Sequence, residues 1–474
     1  MKGPFAAKLK MKILLIHPPS KFLLKEKLGI IAIPLGLAYL ASPLEKDGHT
    51  VKIVDSPSLG YEFDDVKEEI KKFAPEVVGI TATTSNIYNA YNVAQLAKGI
   101  DPRIKVIIGG PHVTFTAKQT LTECPFIDIV VRGEGEVTFR ELVNKLQFFG
   151  EDFSLLKQIK GITFKIKDTI IETEDRPFIK NLDEIPFPAY HLLPMERYKV
   201  RNKRFGNIIT SRGCPFSCIF CSSSQLFGKI WRARSPENVI KEIKLLKEKY
   251  NVTEIEFLDD TFTLNRKRAE KICDLLIKEK LKISWACSSR VDTIDKGLIE
   301  KLKMAGCHTI YVGVESGSQE ILNIINKGIT LSQAEKTINL IKKVKLNSFA
   351  SFIIGIPGET AKTIKNTINF AKKLSPSFVQ FTICTPYPGT KLFEMAKEKG
   401  WLLTKDWSKY TILDQVMKLP GQVATNLNKW LLRAYLSFYL RPKFLIEQIK
   451  RKSFFLFLFR KISETVFEYL GAKG

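Results

Sequence analysis

At 474 residues, with 45% apolar side chains, the chain exceeds what one hydrophobic core usually supports and has material for two. Eight cysteines beside five histidines, with no secretory signal in the basic start Met1–Lys10, argue against a disulfide framework and for metal or redox chemistry in a reducing compartment. The 74 Lys and Arg against 49 Asp and Glu, a formal charge of +25, favour an anionic partner: nucleic acid, a membrane surface or a phosphorylated substrate. No stretch approaches the ~18 uninterrupted apolar residues of a spanning helix, so a cytoplasmic protein is expected.

Residues 11–150 alternate short apolar strands with amphipathic helices. The strand-like runs are Lys12–Ile16, Val51–Asp55, Glu76–Thr81, Lys105–Ile108 and Asp128–Val131, with helical patterns such as Leu35–Lys46 and Asn86–Lys98 between them. That alternation predicts a parallel sheet covered on both faces, and five units suit a flavodoxin-like, Rossmann-type α/β domain. Residues 151–200 read as a linker carrying a hairpin, Gly161–Phe164 with Thr169–Thr173, before the proline-punctuated Asp183–Pro188.

From 201 to 400 the alternation resumes with six βα units. Their strands are expected at Asn207–Thr210, Thr253–Leu258, Ile283–Cys287, Thr309–Val314, Phe349–Ile354 and Phe378–Ile383. Ser235-Pro236-Glu237 marks a helix start, with an N-cap serine and a proline at the first helical position. Six units make a partial, TIM-like (β/α)6 barrel whose site lies at the carboxyl ends of its strands. The region 401–474 turns aromatic and basic and is expected to be α-helical; residues 427–474 alone carry a net +7. Trp430, Leu431, Ala434, Tyr435 and Phe438 share one helical face. Phe454, Phe455, Leu458, Phe459, Ile462 and Val466 share another, flanked by Lys450-Arg451-Lys452 and Arg460-Lys461. Such faces suit either a membrane interface or a cap on the barrel.

Cys214, Cys218 and Cys221 follow the first strand of the second domain in the spacing C-x3-C-x2-C. Thiolates suit iron–sulfur clusters, and a tight loop lets three sulfurs converge on one cubane. No fourth cysteine is close in sequence, which leaves one iron open for a small molecule such as S-adenosylmethionine. Structural zinc would want a fourth ligand in the neighbourhood, and His191 and His308 are far away in sequence. Cys273, Cys287, Cys307 and Cys384 have unrelated spacings and read as small buried apolar residues.

Over 201–400 the sequence resembles the radical S-adenosylmethionine superfamily. The resemblance implies a [4Fe–4S] cluster on the three cysteines and S-adenosylmethionine held by Phe220, Asp259, Asp260, Glu315, Ser316 and Gly355. Asp259-Asp260 stands where the family more often has Gly-Gly-Glu. Strand ends in the first domain, Thr81 to Ser85 and Gly109-Gly110-Pro111-His112, resemble the cobalamin-binding domain of one large subfamily. Matched residue by residue, Thr81, Thr83, Gly109 and Gly110 then line the groove for the cobalamin tail. The cobalamin-protein loop Asp-x-His-x-x-Gly is absent after the first strand, so the cobalt is expected without that histidine. His17 and His112 read as structural or merely exposed.

The resemblance implies a cobalamin-dependent enzyme that C-methylates an unactivated carbon of a hydrophobic, lipid or porphyrin-like substrate, as hopanoid methylases do. The alternative is ring closure, as in magnesium-protoporphyrin monomethyl ester oxidative cyclase and archaeal lipid-ring synthases. A reductant protein such as ferredoxin or flavodoxin and peripheral contact with the inner face of a membrane are the expected partners. The stretch 438–442 is similar to tails of lipid- and porphyrin-modifying members. Nucleic acid, suggested by charge, is disfavoured, because the RNA-modifying relatives carry three more cluster cysteines in the amino-terminal domain. Here that domain has only Cys124.

Overall fold

The computed structural model describes residues 10–20, 32–149, 153–200, 202–418, 426–442 and 444–446. The chain divides into two compact units, one holding the described residues up to Arg197 and the other those from Tyr198 on.

In the first unit, strands β1 (Lys12–His17), β2 (Thr50–Asp55), β3 (Val77–Thr81), β4 (Lys105–Gly109) and β5 (Ile129–Val131) pair in parallel in the order 2-1-3-4-5. This is the flavodoxin-like order expected of the sequence. Ile13 to Ile16 are buried at every successive position, so both faces of β1 are covered. The hairpin β6 (Ile162–Ile166) and β7 (Thr169–Glu172) continues this sheet antiparallel to β5. Arg132, just past β5, fastens it. The buried guanidinium donates to the carbonyls of Ile162 and Thr173, both at 2.6 Å, and pairs with Asp175 at 2.8 Å. Glu134 fixes the following segment by accepting from the Ile179 amide at 2.8 Å.

In the second unit, β8 (Lys199–Val200) pairs antiparallel with β9 (Lys203–Ile208). A short ribbon, β10 (Ser211–Arg212) with β11 (Arg232–Ala233), stands apart from the main sheet. Then β12 (Glu254–Phe257), β13 (Ser284–Ser289), β14 (Cys307–Glu315), β15 (Asn347–Ile354) and β16 (Phe378–Ile383) follow β9 in parallel, each beside its predecessor. Six parallel strands in sequential order, with β16 and β8 at the outer edges, make the expected partial barrel. Its helices begin where the sequence signals them: Ser235 caps the helix Pro236–Tyr250 by accepting from the Asn238 amide. Thr330 and Thr360 close capping boxes on the helices Leu331–Lys343 and Ala361–Leu374. Under the helices Phe257, Phe262 and Trp285 form a packed aromatic cluster, with the Trp285 indole donating to the Ala305 carbonyl at 2.8 Å.

The carboxyl-terminal region becomes helical later than the sequence suggests. Residues 402–418 run irregularly, anchored by buried Trp407 and Tyr410 and by a bridge between Leu402 and Met417, because Asp406 and Thr411 turn the backbone with their own side chains. The helix proper is Leu427–Tyr439. Its apolar face, Leu431, Ala434 and Phe438, is buried in the fold, and Tyr435 and Tyr439 bond to the backbone of β16. This helix is therefore a cap on the barrel. The second apolar face and basic flanks, 450–466, lie outside the described residues. No helix among the described residues is long and apolar enough to cross a membrane.

Candidate functional site

The ribbon β10–β11 pinches the base of the cysteine loop. Gly213, next to Cys214, has φ +87°. A Cβ there would lie 2.3 Å from the Ile230 carbonyl, so only glycine allows the loop to leave the ribbon at this angle. The Cys214 amide donates to the Gly228 carbonyl and the Cys221 amide to the Cys218 carbonyl, both at 3.2 Å. Ile219, between the thiols, is held on both sides: its amide donates to Ile325 O at 3.1 Å and its carbonyl accepts from the Leu392 amide at 2.9 Å.

Cys214, Cys218 and Cys221 are part-exposed, whereas Cys124, Cys273, Cys287, Cys307 and Cys384 are buried. Burial pushes the Cys221 thiol up to about 11, with Asp260 and the two other thiols adding to it. Among the described residues no three His, Cys, Asp or Glu side chains gather round a single metal ion. Thiolates bound to three different irons of a cubane need no such single focus. Three free, partly open thiols on a fastened loop fit a [4Fe–4S] cluster. The buried cysteines fit the role of apolar filler, and burial drives Cys273 up to about 12.

The two aspartates after β12 have separate duties. Asp259 is buried and accepts from the Thr210 amide at 2.7 Å, the Thr210 hydroxyl at 2.5 Å and the Ser211 hydroxyl at 2.6 Å. It fixes the strand end that leads into the cysteine loop. Asp260 reaches solvent yet is crowded by protein, and this desolvation raises its carboxyl, a bond from Ser223 opposing it and the Asp259 charge adding to it. Through Ser223, two residues past Cys221, it is tied to the cysteine loop.

Phe220 is half-buried in the cysteine loop. Glu315, at the end of β14, sits in left-handed backbone (φ +67°) beyond a register shift and forms a buried ion pair with Lys327 at 2.7 Å. Ser316 is fully buried; its hydroxyl meets Thr367 at 3.2 Å and accepts from the Ser318 amide at 3.1 Å. A Cβ at Gly317 would strike Asn366 O at 2.6 Å, so that glycine lets the helix Ala361–Leu374 approach. Gly355 is buried with φ +89°, and Leu427 packs over it. Its amide and that of Ile356 donate to Glu359 Oε2 at 2.6 and 3.0 Å. Burial raises the Glu359 carboxyl to about 7.

The sequence did not single out Arg290, Asn326 or Lys327. Arg290 stacks on Phe216, within the cysteine loop, with its guanidinium carbon 3.5 Å from the ring centroid. Asn326 donates to the Ser217 carbonyl at 3.2 Å. Only the ordinary polarity of these residues is visible in sequence.

In the first unit, Thr81 and Gly109 are register partners at the ends of β3 and β4, and Thr83 is exposed just beyond. Gly110 has φ +114°, and a Cβ there would meet Ala82 O at 2.5 Å, so the two strand ends approach closely. Half-exposed glycine backbone beside open hydroxyls fits the expected groove for a large ligand. His112 is buried, its Nδ1 3.2 Å from the Thr84 hydroxyl, and desolvation takes it down to about 4. His17 Nδ1 lies 2.7 Å from buried Asp55.

Comparison with known proteins agrees with both units. Residues 208–371 match the model of the Radical SAM superfamily, and residues 23–143 match that of the B12 binding domain. A protein of Pyrococcus horikoshii named as an uncharacterized methyltransferase is 51% identical over 93% of this chain and 95% of its own length. The anaerobic magnesium-protoporphyrin IX monomethyl ester cyclase of Rubrivivax gelatinosus is 33% identical over 92% of this chain and 78% of its own. The structure of the cobalamin-dependent S-adenosylmethionine radical enzyme OxsB, with aqua-cobalamin and S-adenosylmethionine bound, shares the fold. Its TM-score is 0.74 at 19% identity, covering 98% of this chain and 71% of that one. With its B12-type sheet, its partial barrel and its three open thiols, the chain belongs to the cobalamin-binding radical S-adenosylmethionine family.

Proposed function

We propose that the protein methylates an unactivated carbon of a hydrophobic, lipid or porphyrin-like substrate. The reading is carried by the three part-exposed thiols at the carboxyl end of the barrel strands, with the exposed Asp260 tied to the end of their loop through Ser223. Cys214, Cys218 and Cys221 hold the cluster. Asp260 receives the ammonium of S-adenosylmethionine, and Phe220 and the Gly355–Ile356 turn border its adenosine. Glu315 and the backbone at Ser316 complete that side, while Thr81, Thr83, Gly109 and Gly110 line the cobalamin groove. When bound, the cluster supplies the electron that cleaves S-adenosylmethionine to an adenosyl radical, and cobalamin carries the methyl group. The chain's own part is to fix the cysteine loop through Asp259 and Gly213, to keep Glu359 on the two turn amides, and to keep the turn dry beneath Leu427. Ferredoxin or flavodoxin supplies reducing power in this reading.

Ring closure without methyl transfer is the second reading, favoured by the 33% identity to a cyclase. Anaerobic reconstitution with cobalamin, methyl-labelled S-adenosylmethionine and a lipid extract separates the two. Label in the lipid supports methylation. Deoxyadenosine together with an unlabelled, hydrogen-poor product supports cyclisation, and no deoxyadenosine with any extract overturns both.

A further inference from the structure

Three neighbouring strands of the first unit open to solvent at the same level. Ile16 of β1 pairs with Ile80 of β3, which sets His17 beside Thr81, and Thr81 in turn pairs with Gly109 of β4. In each strand the residue before is buried and this last one is part-exposed. Register partners share a face of the sheet, and neighbouring strands lie about 4.8 Å apart. His17, Thr81 and Gly109 therefore form a row about 10 Å long at the carboxyl edge. Two of its three members already belong to the cobalamin groove. The row crosses the point where β1 and β3 part, which is the switch point of the 2-1-3-4-5 order.

On the other side of His17 its register partner is Asp55 of β2, which is fully buried. Asp55 Oδ1 lies 2.7 Å from His17 Nδ1, and the Asp55 main-chain carbonyl accepts from the Ser58 hydroxyl at 2.9 Å. A carboxylate oxygen accepts, so the proton sits on Nδ1 and the lone pair of the neutral imidazole is left on Nε2. The His17 side chain remains 21% exposed, whereas His112, just after β4, is buried with its Nδ1 beside the Thr84 hydroxyl. An imidazole that binds a metal through one nitrogen commonly has the other held by a carboxylate, which fixes the ring and raises its basicity.

Resting on the cobalamin assignment above, we propose that His17 Nε2 is an axial ligand of the cobalt, and that Asp55 is the positioning residue that orients it. The pair is assembled from the ends of two adjacent strands, 38 residues apart in the chain, so no local motif announces it.

The test is electron paramagnetic resonance of the full chain loaded anaerobically with cob(II)alamin, prepared once with ordinary histidine and once with nitrogen-15 histidine. An axial histidine is expected to split each high-field cobalt line into three in the ordinary sample and into two in the labelled one. H17A is expected to abolish the splitting, and D55N to populate an unsplit species beside the split one. Three lines in both wild-type samples would come from the cofactor's own base; that result, unsplit lines, or splitting retained in H17A overturns the proposal while leaving cobalamin binding intact. A wild-type chain that binds no cobalamin overturns the assignment and the proposal together. If H17A loads no cobalamin, D55N decides: a spectrum identical to that of the wild type sinks the idea.

Discussion

The Tyr439 hydroxyl donates to the Val379 carbonyl at 2.8 Å and accepts from the Val379 amide at 3.2 Å. One turn earlier, Tyr435 does the same for Phe381, at 2.9 and 3.1 Å. Both partners lie on β16, which has no further strand beside it among the described residues, so two phenols take the place of an adjoining strand. Removing one hydroxyl strands a buried amide and a buried carbonyl, at about 1–3 kcal/mol per group. Y439F and Y435F are each expected to lower stability by that order, measured by denaturant unfolding. Unchanged midpoints would mean that water or a backbone shift replaces the bonds.

Glu359 makes stability depend on pH. Its folded value of about 7 lies above the ordinary carboxylate value of 4.5. The folded state therefore binds the proton more tightly than the unfolded state. The contribution is complete below pH 4.5 and is lost as pH rises toward 7, by an amount on the order of 3 kcal/mol. E359Q cannot titrate, and its unfolding free energy should fall less over this window than the wild type's. Parallel slopes for the two proteins would refute the assignment.

Serine at Cys214, Cys218 or Cys221 should each cut bound iron by about tenfold or more, since losing a ligand costs at least as much as losing a group that merely orients one. C273S, in the buried set, should keep its iron. Iron and sulfide per chain decide the matter, and an iron-replete C218S protein would contradict it.

Glycine substitutions separate strained positions from open ones. G110A puts a methyl 2.5 Å from Ala82 O in left-handed backbone, and should cost about 1–3 kcal/mol and weaken cobalamin binding. Gly36 lies inside the helix Leu35–Lys46 with nothing within 4 Å of the new carbon, so G36A should stabilise by about 0.5–1 kcal/mol. Thermal unfolding of both variants against wild type is the measurement, and similar midpoints for the two would contradict the strain argument.

The strands and their order were legible because each is a short apolar run closed by a turn. Ile13 to Ile16 and Phe349 to Ile354 need no tertiary knowledge to be placed. The cysteine spacing was legible for the same local reason. Which of Asp259 and Asp260 is buried and which is left exposed was not, because strand alternation ends at Phe257 and the turn decides the rest. Asn326 was invisible since it meets Ser217 from 109 residues along the chain. The apolar stripe of Leu427–Tyr439 was plain in sequence. Its destination was not, since periodicity marks a face without saying what covers it.

The β10–β11 ribbon also bears on how the metal centre matures. By joining Arg212 to Arg232 it brings the two ends of the thiol-bearing segment together by backbone pairing alone. The entropy of ring closure is thereby met during folding and is not charged to cofactor insertion. The segment that carries the three thiols is thus closed before any cofactor has to be bound.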